Sequence, residues 1–179
     1  MSRTCRTVAT LLLAGGIAAG TPAMASPSSS GPDVAEVRKA TARYHRPAAA
    51  LADGYVATEH CIEVPALGGM GFHYVNPALL ADPGIDPTRP EVLLYESLPG
   101  GKLRLVAVEW VAVDPDQDVT TDAGRPSLFG VPFDGPMPGH EPGMPVHFDL
   151  HAWIWKHNPD GRFSAWNPDV GCANSPRGH

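Results

Sequence analysis

Every methionine beyond residue 25 stands three residues before a histidine. The pairs are Met70 with His73, Met137 with His140, and Met144 with His147. A thioether and an imidazole are two neutral donors that copper accepts in proteins. The spacing therefore indicates a metal site, and the methionines favour copper over zinc as its occupant.

A predicted strand at 146–156 carries further candidate ligands. Side chains alternate between the two faces of a strand, and one face of this segment is apolar from Val146 to Ile154. The other face carries His147, Asp149, His151, Trp153 and Trp155. Next-but-one side chains lie about 7 Å apart along a strand, so the two histidines flank the aspartate. All three can hold one ion only if a bulge or twist brings them together; otherwise one of them orients a ligand.

Other predicted strands must supply the remaining ligands. Glu109 falls in an apolar row of a predicted strand at 102–113, where a carboxylate is costly to bury without a partner. We expect three histidine ligands, with an acidic residue as a fourth ligand or as a catalytic base. The candidates are His73, His147 and His151 as ligands, Glu109 or Asp149 as the acidic residue, and Met144 or His140 joining from a neighbouring loop.

Two other functions fit the same residues. The tryptophans of the 146–156 strand can line a face that binds a small apolar ligand or a sugar ring without metal. Glu109 or Asp149 can instead form an acid/base pair with His151 in a metal-free hydrolase or isomerase. The chain has no P-loop, no Gly-x-Ser-x-Gly elbow and no His-Glu-x-x-His helix. Whether the protein is an enzyme stays open at this point.

The first 25 residues predict a signal peptide. Arg3 and Arg6 precede an apolar run, and Ala23-Met24-Ala25 is a cleavage site of small residues. The leader holds two of the 13 basic residues and none of the 19 acidic ones, which leaves a net charge of −8 after its removal. We therefore expect a secreted protein without a membrane anchor that binds a metal ion or a small molecule and no nucleic acid.

Two cysteines follow the leader, Cys61 and Cys172. In an oxidising compartment the expected pairing is one disulfide between them. That bridge would close a loop of about 110 residues and stabilise the fold by roughly 4 to 5 kcal/mol in the chain-entropy model. The alternative is that both thiolates bind a metal.

The domain organisation follows from Pro, Gly and Ser placement. Residues 26–32 lack anything to bury and predict a flexible lead-in, and residues 33–179 predict a single domain. Within it, Asp33 is the expected N-cap of helical segments that extend to about residue 55. A long Pro- and Gly-rich loop is expected at 114–145, where two of the Met-x-x-His units lie.

The clearest strand signal is a hairpin, with strands at 91–98 and 102–113 joined by Pro99-Gly100-Gly101. Other short extended runs surround it, separated by turn residues. Together with the N-terminal helices, these elements predict an α+β fold. We expect the helices to pack on a mainly antiparallel β-sheet or a small open β-barrel.

Several strings of residues resemble those of a family of small secreted bacterial proteins. They are GMGFHYVNP at 69–77, RPEVLLYE at 89–96, SLFG at 127–130 and HAWIWKHNPDGRFSAWNP at 151–168. The resemblance covers most of residues 55–172 and implies one recurring domain. It implies no activity, cofactor or site, so the functional hypothesis depends on the residues themselves. That hypothesis is a secreted metal-binding protein that holds copper or zinc, with a metal-dependent activity as its extension.

Overall fold

The structure is a computed structural model that describes residues 33–140 and 143–174. The predicted signal peptide at 1–25 and the lead-in at 26–32 lie outside the described residues. Within the described part, no helix is long and apolar enough to cross a membrane.

The first described residues form two short helices. Helix α1 spans Val34–Thr41 and begins at Asp33, whose carboxylate accepts a hydrogen bond from the Ala35 N–H at 3.0 Å, as expected of an N-cap. A 3-10 turn at Ala42–His45 follows, and helix α2 spans Pro47–Ala52. Proline lacks an N–H and suits the first position of a helix, so it separates the two helices rather than kinking one.

Six antiparallel strands form the main sheet, in the order β1-β2-β3-β4-β8-β7. Their bounds are β1 Val56–Val64, β2 Gly68–Val75, β3 Val92–Leu98, β4 Lys102–Val113, β7 Asp134–Met137 and β8 His147–Ala152. A short helix α3 at Pro77–Leu80 follows β2, and a two-stranded ribbon pairs β5 Ser127–Leu128 with β6 Val131–Pro132. The predicted α+β class is confirmed, and the sheet is open rather than closed into a barrel.

Each face of the sheet supports its own hydrophobic core. The larger core lies on the side of the N-terminal helices and contains Tyr95, Trp110 and Leu150, each at most 1% exposed. The smaller core lies on the opposite face and joins Leu94 and Val106 to residues of the C-terminal segment. Helices therefore cover one face, and irregular chain covers part of the other.

The disulfide and a backbone bridge fasten the C-terminal segment to the sheet. Cys61 on β1 and Cys172 are bonded, with a sequence separation of 111 and 5.8 Å between their Cα atoms. The N–H of Gly69 donates to the carbonyl of Asn167, and the N–H of Asn167 donates back. The predicted disulfide is confirmed.

Strand β8 ends at Ala152, four residues earlier than the 146–156 segment that the alternation predicts. The backbone changes hydrogen-bond partners at that point. The N–H of Trp153 donates to the carbonyl of Arg162, and the N–H of Trp155 donates to the carbonyl of Val106. The strip of alternating side chains on β8 is consequently limited to six residues. Residues 114–145, predicted as a loop, contain the short strands β5 to β7.

Candidate metal centre

Three strands bring His73, Glu109 and His151 together on the face of the sheet opposite the helices. His151 on β8 lies directly across from Glu109 on β4 in the antiparallel register. His73 lies on β2, on the far side of β3, and its ring reaches across β3 toward Glu109. Residues that are 36 and 42 positions apart in sequence therefore meet because the order β2-β3-β4-β8 places their strands side by side.

The three side chains present their ligand atoms to a common point. Oε2 of Glu109 lies 3.7 Å from Nε2 of His73 and 3.8 Å from Nε2 of His151, and one ligand atom of each residue lies within 4.8 Å of the others. In a tetrahedral zinc site with bonds of 2.0 to 2.1 Å, ligand atoms stand about 3.4 Å apart. The two distances from Glu109 to the histidines exceed that value by only a few tenths of an ångström.

Burying these three polar side chains costs free energy when no ion or proton lies between them. The side chains of His151 and Glu109 are 1% and 9% exposed, whereas that of His73 is 17% exposed. Both ring nitrogens of His151 and Oε2 of Glu109 are buried without a hydrogen-bond partner. Each such atom costs about 1 to 3 kcal/mol, and more when charged. Of these unpaired atoms, Oε2 of Glu109 and Nε2 of His151 face each other, whereas Nδ1 of His151 faces Asp149.

The protonation states of the three residues are set by burial and by one another. Burial, followed by the neighbouring His151, lowers the pKa of His73 to about 3, so its imidazole is neutral as a metal ligand must be. Burial raises the pKa of Glu109. Burial alone would lower the pKa of His151, but Glu109 and Asp149 outweigh it and raise that pKa to about 9. The carboxyl groups of Glu109 and Asp149 thus favour a positive charge at the position of His151.

Asp149 lies behind His151 rather than among the three ligand atoms. Its Oδ1 is 3.6 Å from Nδ1 of His151, the ring nitrogen opposite the one that faces Glu109. A carboxylate in this position commonly fixes the ring orientation and tautomer of a metal-ligating histidine. Asp134 on β7 pairs in register with Asp149 and adds a further negative charge near His151. Sequence reasoning missed Asp134, because the β7–β8 pairing is not evident from local patterns.

The remaining predicted ligands form a separate group near the start of β8. His147 is 1% exposed and pairs in register with Met137, and its ring meets that of His140 edge to face at 5.1 Å between centroids. The backbone of Met144 lies against Gly139 in the same loop. His147, His140 and Met144 are not members of the converging group, which consists of His73, Glu109 and His151. His147 and His151 are four residues apart, about 13 Å along a strand, which is too far to share an ion.

The tryptophans do not form one continuous strip. Trp153 belongs to the smaller core and donates from Nε1 to the carbonyl of Ser164, whereas Trp155 packs against the larger core and donates to Oγ1 of Thr41. A cleft of about 500 Å³ lies beside both rings. The ring of Trp155 is already in contact with the guanidinium of Arg38 at 4.7 Å and with the ring of His45. Little of that ring is left for stacking on a sugar.

No model of a known protein family matches the chain, and no curated protein or solved structure matches it either. The function is therefore inferred from the geometry of the site. That geometry defines a group of two histidines and one glutamate, buried in a sheet face, that can hold a metal ion.

Proposed function

We propose that this chain is a secreted metal-binding protein whose ion is held by His73, Glu109 and His151. The observation that carries the proposal is the set of unpaired polar atoms at the centre of the group: Oε2 of Glu109 and Nε2 of His151 are buried, 3.8 Å apart, and without hydrogen bonds. A cation between them would satisfy both. The second nitrogen of the His151 ring faces Asp149, which matches the arrangement that supports a ligand histidine.

The donor set suits Cu(II) and Zn(II). Two imidazoles and one carboxylate are nitrogen and oxygen donors that both ions accept, and Cu(II) binds a given set of this kind more tightly than Zn(II). Met137 and His140 near His147 are a second reason to favour copper, since thioether ligands select Cu(I). We therefore rank copper ahead of zinc. Cu(I), if it binds, would do so at Met137 and His140 rather than at the two-histidine, one-glutamate group.

Three protein ligands leave one tetrahedral position for water or substrate. Catalytic zinc sites keep such an open position, and the ion lowers the pKa of a bound water to about 7. His73, at 17% exposure, is the ligand nearest to solvent and marks the side from which a substrate would enter. A metal-dependent hydrolytic activity is the extension of the proposal that this arrangement supports.

The disulfide supports the extracytoplasmic part of the proposal. Structural disulfides form and persist in oxidising compartments and are rare in the cytosol. The bond between Cys61 and Cys172 therefore agrees with export by the signal peptide predicted at 1–25.

The test is metal quantification by mass spectrometry on protein expressed from residue 26, stripped with a chelator and then dialysed against Cu(II) or Zn(II). We expect one ion per chain for the natural sequence and a loss of that ion in His151→Ala and in Glu109→Gln. His147→Ala is the matched control, because it removes a buried histidine from the same strand but not from the three-residue group. Circular dichroism checks that each variant is folded.

Two results would overturn the proposal. One is uptake of less than a tenth of an equivalent of either metal by folded natural protein. The other is equal retention of the ion in folded His151→Ala, Glu109→Gln and His147→Ala. Retention in the first two together with a loss in His147→Ala would move the site to His147 and His140.

A further inference from the structure

A cleft of about 500 Å³ is lined by residues of helix α1 and of the chain that follows β8, and we call it the basic cleft. Its lining includes the cationic side chains of Arg38, Lys156 and Arg162 and the imidazole of His157. No aspartate or glutamate is among the described residues that line it. The whole chain carries 19 acidic residues against 13 basic ones, so this lining departs from the overall composition.

The two arginines of the basic cleft have no carboxylate partner. Within the described part of the chain, neither the Arg38 nor the Arg162 guanidinium forms an ion pair or donates a hydrogen bond. Both residues are exposed. A guanidinium presents five N–H donors in a planar fork that matches the geometry of carboxylate and phosphate groups. These donors are available to an anion that enters the cleft.

An aromatic ring positions the first guanidinium. Cζ of Arg38 lies 4.7 Å from the centroid of the Trp155 ring. Trp155 is itself fixed, because its Nε1 donates to Oγ1 of Thr41 at 3.2 Å and its ring meets that of His45 at 4.3 Å between centroids. Contact with an indole ring stabilises the cation without using its N–H donors. Arg38 is thus held at the cleft with its donors unused.

Backbone hydrogen bonds position the second arginine. The N–H of Trp153 donates to the carbonyl of Arg162 at 2.8 Å, and the N–H of Gly161 donates to the carbonyl of Asn158 at 3.1 Å. The buried side chain of Asn158 donates from Nδ2 to the carbonyl of Trp166 at 2.8 Å. The turn that carries Arg162 is therefore ordered before any ligand binds, which reduces the entropy lost on binding.

Lys156 adds positive charge even though it has a carboxylate partner. Its Nζ donates to Oε2 of Glu96 at 2.7 Å. The other carboxylate oxygen of Glu96 accepts from the guanidinium of Arg104. One carboxylate therefore serves two cations and leaves one positive charge in excess beside the cleft. Excess charge of one sign in a cleft raises the local concentration of ligands of the opposite sign.

We propose that the basic cleft binds a small anion with two or more carboxylate or phosphate groups. Arg38 and Arg162 bind the anionic groups, Lys156 supplies further positive charge, and Trp155 forms an apolar wall. The volume lies within the range of about 300 to 1,000 Å³ that is usual for small-molecule sites. No member of the His73–Glu109–His151 group is among the lining residues, so the proposal does not depend on a bound metal.

Calorimetric titration of chelator-treated protein expressed from residue 26 tests the proposal. Citrate is the carboxylate probe, pyrophosphate is the phosphate probe, and glycerol is the uncharged control. Each is added up to about 10 mM, in about 150 mM NaCl so that unspecific attraction between charges is screened. We expect saturable binding at one site for at least one anion, with a Kd below about 1 mM, and none for glycerol. Binding of citrate alone or of pyrophosphate alone assigns the ligand to the carboxylates or to the phosphates.

The variants Arg38→Gln and Arg162→Gln should each weaken anion binding about tenfold or more, because each removes a charge-assisted contact. Arg89→Gln is the matched control, since it removes an exposed guanidinium that does not line the cleft. His151→Ala should lose the metal ion and bind the anion normally, which separates this site from the metal centre. Circular dichroism checks that every variant is folded.

Four results would overturn the anion site. The first is the absence of saturable binding of either anion up to about 10 mM. The second is equal affinity in the natural protein, Arg38→Gln and Arg162→Gln. The third is a loss of affinity in Arg89→Gln as large as in the two cleft variants, which would mean a general effect of net charge. The fourth is a loss of anion binding in folded His151→Ala, which would place the anion at the metal centre.

Discussion

Oε2 of Glu109 lies 3.8 Å from Nε2 of His151, on directly opposed residues of adjacent antiparallel strands, and neither atom has a hydrogen-bond partner. The antiparallel register fixes the two Cα positions, and side chains opposed in this way point to the same face. A buried carboxylate and imidazole that approach without bonding leave room for a third group. His73 lies at the same point from β2, so that room is bounded on three sides.

We predict that Asp149→Asn weakens metal binding without abolishing it. Asp149 does not belong to the three-residue group, but its Oδ1 lies 3.6 Å from Nδ1 of His151 and stabilises the ring orientation that a ligand needs. Substitution of such a partner usually costs 10 to 100-fold in affinity. Competition titrations with a chromophoric chelator measure the change, and Asp160→Asn serves as the surface control. An unchanged Kd would show that Asp149 has no part in orienting the ligand.

Metal should also raise the thermal stability of the protein. An ion that binds only the folded state at 100 times its Kd adds about 2.7 kcal/mol. For a chain of this size that corresponds to a rise in Tm of roughly 5 to 10 °C. Differential scanning calorimetry with and without EDTA tests this, and His151→Ala should show no difference between the two conditions. A rise of equal size in His151→Ala would place the responding ion elsewhere.

The sequence indicates the types of residue in the site better than their grouping. His73, His151 and Glu109 can be chosen from the sequence because each interrupts an apolar or aromatic row. The sequence does not give the register between β4 and β8, which sets Glu109 opposite His151, nor the bulge between Leu94 and Tyr95 in the β3–β4 pairing. Both are long-range properties of the sheet, and they decide which of two similar histidines on β8 joins the group.

Other features could not be predicted from local pattern for the same physical reason. The alternation of residues 146–156 continues through Trp155, yet the strand ends at Ala152 because Trp153 and Trp155 find partners in Arg162 and Val106. The disulfide, in contrast, depends only on the cysteine count and the compartment, and Asp33 acts locally as an N-cap. Predictions that use neighbouring residues agree with the structure more closely than those that need strand pairing.

We predict that removing the disulfide lowers the free energy of unfolding by about 5 kcal/mol, the value for a closed loop of this length in the chain-entropy model. The variant replaces Cys61 and Cys172 by serine together, so that no free thiol remains. Urea denaturation of the two proteins at the same pH measures the difference. The C-terminal segment packs on the smaller core through Val170 and should become more sensitive to protease in the variant. A difference under about 1 kcal/mol would contradict the loop-closure argument.

Glu91 should make the protein less stable as pH rises from about 4.5 to about 7. Its side chain is 2% exposed, and its Oε2 accepts a hydrogen bond from the N–H of Val111 at 3.1 Å. Burial raises the pKa of Glu91 to about 7, with smaller increases from Asp82 and Asp86, against an ordinary value of 4.5.

The folded state therefore holds the Glu91 proton more tightly than the unfolded state does. The stability from this proton is fully present below about pH 4.5 and is lost as pH rises through about 7, a loss on the order of 2 to 3 kcal/mol. Glu91→Gln keeps an acceptor for the Val111 N–H and cannot ionise, so it should match the natural protein near pH 5 and exceed its unfolding free energy at pH 8. Urea denaturation of metal-free protein at both pH values measures this. Parallel pH profiles for the two proteins would exclude Glu91 as the titrating group.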